Sequence, residues 1–256
     1  MFENIKWSRG DKVLEFGGGT GYNAYKWILP QVQKWEGDLV SLDISNTMVE
    51  YARKTWPHPR IQHICADILA EDDKLEKQLD GRLFDKIFST FVLHQVHDIR
   101  NTLCRLQGLL NPGGVFGFIC FTNKNFYFRA TRIIAQMEKW KECFNGYESI
   151  IASWTTFEGK DHGENMLRNL MHECGFQVKT LEILDRSCYF DDIEVFLDLL
   201  LAINQFLHRL PEKKKQELKN DYHKLLTEIE ETNTDSKDFM FKYELLYAVI
   251  EKPEVF

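Results

Sequence analysis

No stretch of this 256-residue chain approaches the roughly 18 consecutive apolar residues of a membrane-spanning helix, so no membrane span is expected. The first residues, Met1-Phe2-Glu3-Asn4-Ile5-Lys6, lack the apolar segment of a secretory signal. The chain has six cysteines (Cys65, Cys104, Cys120, Cys143, Cys174 and Cys188), but no two have the C-x-x-C spacing of a zinc or redox motif, and several sit in apolar runs. That is the usage of reduced thiols. It argues against a disulfide-held extracellular fold and leads to the expectation of a cytoplasmic protein. Positive charge is also short: 32 Lys and Arg stand against 39 Asp and Glu, giving a net charge of -7. That sign is wrong for gripping a phosphate backbone, so a nucleic-acid substrate is not expected. No internal repeat is found, and the one polar, loop-like stretch of note is 232–237.

What is present is a hydrophobic fraction of 44%, enough for a full core in one α/β domain with additions. Short apolar runs at 12–16, 39–42, 61–65, 84–89 and 115–121 alternate with helix-like segments, the pattern of β-α-β units and a mainly parallel sheet. Ser45 is a good N-cap for a helix over 46–56, and Ile99, Leu103, Leu106 and Leu110 give helical spacing over 97–110. Asn111-Pro112-Gly113-Gly114 is then expected to end that helix and turn the chain. From 123 to 174 the pattern becomes helical and aromatic-rich, with Phe126, Tyr127, Phe128, Trp140, Phe144, Tyr147 and Trp154. β character resumes at 175–189, helices are expected over 191–207 and 211–231, and a last strand over 239–251 is expected to run antiparallel at or near an edge. The run Lys213-Lys214-Lys215, interleaved later with Glu217 and Asp221, reads as a solvated helix face.

The chemistry-bearing run is Val13-Leu14-Glu15-Phe16-Gly17-Gly18-Gly19-Thr20-Gly21. A glycine turn directly after a strand lets backbone approach a ligand and aims N–H groups at it. The dinucleotide fingerprint G-x-G-x-x-G would require glycine at Tyr22, so that template fails. The spacing present is Gly17-x-Gly19-x-Gly21, preceded by the acidic Glu15, and it resembles motif I of class I methyltransferases, which use S-adenosylmethionine (SAM). An acidic strand end favours a cofactor carrying a sulfonium and an ammonium over one carrying a pyrophosphate. Taken alone, the turn could also serve only tight packing, the lesser of the two readings. Four further elements follow in order. Leu39-Val40-Ser41-Leu42-Asp43-Ile44-Ser45 resembles the second strand, ending in the acid that accepts both ribose hydroxyls. Asp43 alone could also begin a helix-capping turn. Cys65-Ala66-Asp67-Ile68 resembles the position that contacts the adenine amino group, although Asp67 is also an ordinary strand-end residue. The run 84–94 looks like motif IV, and 109–116 like the turn before the fifth strand.

Within that class the strings 42–54, Val92-Leu93-His94 and Ala135-Gln136-Met137-Glu138-Lys139-Trp140 resemble the juvenile hormone acid O-methyltransferases of arthropods, and the likeness covers nearly the whole chain. The resemblance implies an α/β fold, a Rossmann-like seven-stranded class I methyltransferase sheet with a helical cap inserted after the fifth strand. Within a single domain, residues 1–122 would be the SAM-binding core, 123–174 the helical substrate cap, and 175–256 the strands and helices that complete the sheet. Glu15, Gly17, Gly19, Gly21, Asp43, Ile44, Met48, Asp67, Ile68, Ser89 and Thr90 would line the SAM site, and His94, Gln95 and Trp140 the substrate. The reaction would move a methyl group from SAM to the carboxylate of a lipophilic acid, of the sesquiterpenoid or fatty type, leaving S-adenosylhomocysteine.

A carboxylate is already ionised near neutral pH, so such an enzyme needs no general base and works by proximity, and no catalytic residue or metal is assigned. His94 and His97 lack a third ligand nearby and read as a strand-end loop pair. The aromatics of 123–174 are compatible with a long apolar substrate, but position by position most of them fit ordinary helix core better. Two departures from the family stand out. Gln95 replaces a tryptophan after Leu93-His94, and only 12 residues precede Val13, where relatives carry a segment that folds over the cofactor. The second departure leads to an expectation of weak SAM retention and reduced activity. Alternative readings are a SAM-binding protein without turnover, or methyl transfer to another acid or an amine.

Overall fold

The computed structural model describes residues 5–70, 72–147, 160–204, 206–230 and 239–254. Trp154 and the polar stretch 232–237 lie outside the described residues. Among the described residues, seven strands form one sheet: β1 (Lys12–Phe16), β2 (Asp38–Asp43), β3 (Ile61–Cys65), β4 (Phe84–Thr90), β5 (Leu110–Phe121), β6 (Gln177–Phe190) and β7 (Phe239–Glu251). Their order is β3-β2-β1-β4-β5-β7-β6, with β1 paired in parallel to β2 and β4. Val13, Leu14, Glu15 and Phe16 are all buried, as expected of a central parallel strand covered on both faces. The chain steps outward from β1 through β2 to β3, then returns to the other side of β1 with β4. Strand order therefore reverses between β1 and β4, and the carboxyl ends of those strands form the crevice where ligands enter sheets of this kind.

The crossovers are short helices: a π-helical turn (Ala24–Ile28) running into α1 (Leu29–Lys34), then α2 (Asn46–Thr55), α3 (Asp72–Gln78) and α4 (Ile99–Leu109). Helix α2 starts where expected, since the Ser45 side chain accepts from the Met48 N–H, and it buries Val49 and Ala52 against the sheet. Helix α4 ends at Leu109, next to Asn111-Pro112-Gly113-Gly114 as expected, but that segment forms the start of β5 rather than a free turn. Gly113 N–H donates to Lys252 O and Lys252 N–H to Gly114 O, both at 2.9 Å. A long-range ladder with β7 thus draws the segment into the sheet, at a register shift opposite Phe84 and Lys86 and with Gly113 at φ +76°. The further pairing of Thr122 N–H with Glu244 O makes β7 antiparallel to β5, one place in from the edge strand β6.

The chain forms two compact units. The first comprises Met1–Cys120, Phe157–Glu182 and Leu246–Phe256 and carries strands β1 to β4. The second comprises Phe121–Thr156 and Ile183–Leu245 and contains helices α5 (Phe126–Gln136), α7 (Ile193–Ala202) and α8 (Glu212–Glu230). Helix α6 (Lys160–Glu173), although within 123–174, packs in the first unit. The second unit has its own core of Phe126, Trp140, Phe144, Phe196, Phe206, Leu218 and Tyr222.

Candidate cofactor site

The turn after β1 bends over the end of β2. Gly17 and Gly18 N–H both donate to Leu42 O, at 2.8 and 3.0 Å, and Gly19 N–H donates to Asp43 Oδ2 at 2.8 Å. These donors are therefore spent inside the protein, a correction to the expectation that they aim at a ligand. The glycines act instead through conformation and clearance. Gly17, Gly19 and Gly21 have φ of +76°, +52° and +76°, which side-chain-bearing residues adopt only at a cost. A Cβ on Gly17 would meet Val92 Cγ2 at 2.2 Å, and one on Gly18 would meet Ser41 Oγ at 2.0 Å, so the turn is pressed against the segment that follows β4 and against β2. A Cβ on Gly19 would meet nothing within 4 Å, because that glycine faces open space.

Asp43 ends β2 beside that space. Its Oδ2 takes the Gly19 N–H and its Oδ1 takes the Ser45 N–H, each at 2.8 Å. Both oxygens are fixed by backbone, and each keeps a second lone pair for an incoming hydroxyl. The capping and ribose readings of Asp43 are thus compatible: the side chain organises the turn and still presents acceptors.

Glu15 lies beneath the turn. It is 2% exposed and accepts from Ser41 Oγ at 2.6 Å, its partner in the β1–β2 register. Burial pushes its carboxyl from 4.5 up to about 7; the Ser41 bond opposes that rise and the charge of Asp43 adds to it. Glu15 is therefore a buried group poised near neutrality rather than an exposed charge at the strand end.

The remaining residues divide by exposure. Ile44 and Met48, 69% and 42% exposed, are large apolar side chains left open next to Asp43. Asp67 is exposed and accepts from Leu69 N–H in a turn after β3, while Ile68 is buried beside it. Ser89 is fully buried and its hydroxyl donates to Phe16 O at 3.0 Å, tying β4 to β1; Thr90 follows half-buried at the crevice edge. His94 is buried in a short 3-10 turn (Leu93–Gln95) after β4, and burial pushes its imidazole down from 6.5 to about 4, so it is neutral at pH 7. Gln95 is exposed. Trp140 belongs to the core of the second unit, with no exposed surface, and its Nε1 donates to Asp221 at 2.6 Å. Among the described residues, no three His, Cys, Asp or Glu side chains gather as a metal-binding group.

Sequence reasoning passed over Ser41, Val92 and Phe91. Ser41 stands out only as a small polar residue in an apolar strand, and Val92 carries no local signal for its place against Gly17. Phe91 adopts φ +60° where β4 gives way to the 3-10 turn, which costs about 1–2 kcal/mol for a residue with a Cβ.

Residues 14–116 match a family model described as a methyltransferase domain. The chain is 26% identical to the juvenile hormone acid O-methyltransferase of Drosophila melanogaster, over 96% of this chain and 82% of the relative. It is also 26% identical to the Bombyx mori enzyme of the same name, over 88% of this chain and 77% of that one. A solved Bacillus halodurans structure assigned as a methyltransferase shares the fold with a TM-score of 0.62 at 14% identity, covering 98% of this chain and 96% of that chain.

Proposed function

We propose that this chain, a SAM-dependent methyltransferase of the class I fold, transfers the methyl group to the carboxylate of a lipophilic acid. The observation that carries the choice of acid is the likeness to two juvenile hormone acid O-methyltransferases, which continues past the methyltransferase domain through the second unit.

The residues at the strand ends suit SAM. The open space beside Gly19 would receive the adenosine, and the fixed carboxylate of Asp43 would offer acceptors to two ribose hydroxyls. Ile44 and Met48 would offer exposed apolar surface to the adenine face, with Asp67 and Ile68 assigned to its edge. The spent N–H groups of the turn would serve a pyrophosphate poorly, which agrees with the failed dinucleotide spacing. When bound, SAM supplies an electrophilic methyl group. The chain's part is then to hold a substrate oxygen in line with that methyl and to exclude water. His94 is neutral and a poor base, which is no handicap for a substrate that arrives ionised. The exposed Gln95 amide can donate to the carboxylate.

The test is incubation with methyl-labelled SAM and separate panels of sesquiterpenoid acids, fatty acids, small polycarboxylic acids and amines. Base-labile label on the lipophilic acids, lost in Asp43→Ala, is expected. Label on amines alone, or SAM binding without label on any substrate, would reject the acid assignment and favour the alternatives.

A further inference from the structure

Away from the strand ends, helix α4 presents one face to the residues that close α6. Arg100 Nη2 donates to Glu173 Oε2, Cys174 Sγ lies 3.6 Å from the Arg100 carbonyl oxygen, and Cys104, one turn along, is hydrogen-bonded to Cys174. A Cβ on Gly175 would meet Gln107 Nε2 at 3.0 Å. Residues 100, 104 and 107 share a helix face, so 173, 174 and 175 are held against it at successive points, with the two thiols in the middle. The sulfurs differ in access. Cys104 is exposed and lines a cleft of about 430 Å³ with Leu79, Arg82, Asn101 and Arg105, whereas Cys174 is 6% exposed.

We propose that Cys104 and Cys174 form an oxidant-sensitive dithiol, in which a hydroperoxide entering the cleft oxidises Cys104 and Cys174 converts the product to a disulfide joining α4 to the end of α6. The Cys104 sulfur attacks the peroxide O–O bond and becomes a sulfenic acid, releasing water or, from an alkyl hydroperoxide, an alcohol. The Cys174 sulfur then attacks the sulfenic sulfur, and the hydroxide leaves with the Cys174 proton as a second water. Two thiols lose two electrons and the peroxide gains them. Burial pushes the Cys174 thiol up to about 12, so it stays protonated while Cys104 meets the oxidant first.

The experiment treats the full chain with limiting hydrogen peroxide, blocks remaining thiols with N-ethylmaleimide and maps peptides by mass spectrometry without reduction. A Cys104–Cys174 linkage, two hydrogens lighter than its reduced parts, is expected to dominate and to vanish with dithiothreitol. In Cys174→Ser, a dimedone adduct should accumulate at Cys104; in Cys104→Ser, Cys174 should stay reduced. Phenylarsine oxide, which bridges neighbouring thiols, tests the unaltered protein and should protect both cysteines from alkylation together. A stable dimedone adduct at Cys104 in the unaltered protein, linkages scattered among the six cysteines, or protection of neither thiol would overturn the proposal.

Discussion

The glycine turn of the first unit and the aromatic core of the second handle polar groups in opposite ways. In the turn, backbone donors are consumed by Leu42 and Asp43, and what remains open is a carboxylate beside unfilled space and two exposed apolar side chains. In the aromatic core of the second unit the polar atoms of Tyr222 and Trp140 are paired inward: Tyr222 Oη meets Thr131 Oγ1 at 2.8 Å and Asn204 Nδ2 at 3.0 Å, and Trp140 meets Asp221. The first arrangement leaves binding capacity unspent, whereas the second spends it on holding helices together. Proximity to a motif is therefore a weaker guide to function than whether a group's hydrogen-bonding capacity is already filled.

Substitution of Asp43 should break the comparison most sharply. Asp43→Ala removes the acceptors proposed for both ribose hydroxyls. With about 1.5–3 kcal/mol for each hydrogen bond to a charged group, SAM affinity should fall at least about 100-fold by isothermal titration. Trp140 should answer in stability instead. Trp140→Ala empties a fully buried site and should cost about 3–5 kcal/mol in urea unfolding. Trp140→Phe keeps a ring, loses the Asp221 bond and should cost about 1–2 kcal/mol with methyl transfer per folded molecule unchanged. A fall in turnover beyond the unfolded fraction would show that Trp140 reaches the substrate after all.

These contrasts were unevenly legible in the sequence. Runs 12–16, 61–65 and 239–251 became strands with those same limits, because each is an apolar or alternating segment bounded by turn residues. The bond from Gly19 spans 24 positions, but the turn at Asp43 was legible because its other partner, Ser45, stands two residues on. Glu15 was not. Its burial against Ser41 depends on the β1–β2 register, which no short window encodes, and the same holds for Gly113 and Gly114, drawn into β5 by Lys252. The aromatics of 123–147 looked alike in composition, and only packing separates the fully buried Trp140 from the half-buried Tyr147.

Two buried ionisable groups near the turn should titrate against each other. The folded state keeps a proton on Glu15 up to about pH 7 that the unfolded chain releases near 4.5, so Glu15 lowers stability as pH rises through that window, by about 3 kcal/mol in all. The unfolded chain protonates His94 below about 6.5 while the folded state waits until about 4, so His94 lowers stability as pH falls through that window, by a similar amount. Over the shared range the two slopes oppose, and the contributions of Glu15 and His94 nearly cancel. Glu15→Gln should unmask His94, with stability climbing from about pH 4 to 6.5 and exceeding the parent protein above pH 7. A Glu15→Gln profile that parallels the parent would mean Glu15 is ionised in the fold.

Smaller changes separate the roles of the turn. Gly19→Ala places a methyl in the open space at φ +52°; it should cost about 1–2 kcal/mol of stability and weaken SAM further than that strain explains.

Ser45→Ala is the mildest. The cap bond it removes, Met48 N–H to Ser45 Oγ, is long at 3.4 Å, so the loss should sit at the low end for an N-cap, about 0.5 kcal/mol by thermal unfolding. Asp43 is held by the backbone N–H of Ser45 rather than by its hydroxyl, so the carboxylate keeps its position and SAM affinity should stay within about twofold of the parent protein. A large loss of affinity in Ser45→Ala would mean that the start of α2, and not the tip of β2, fixes the acceptor.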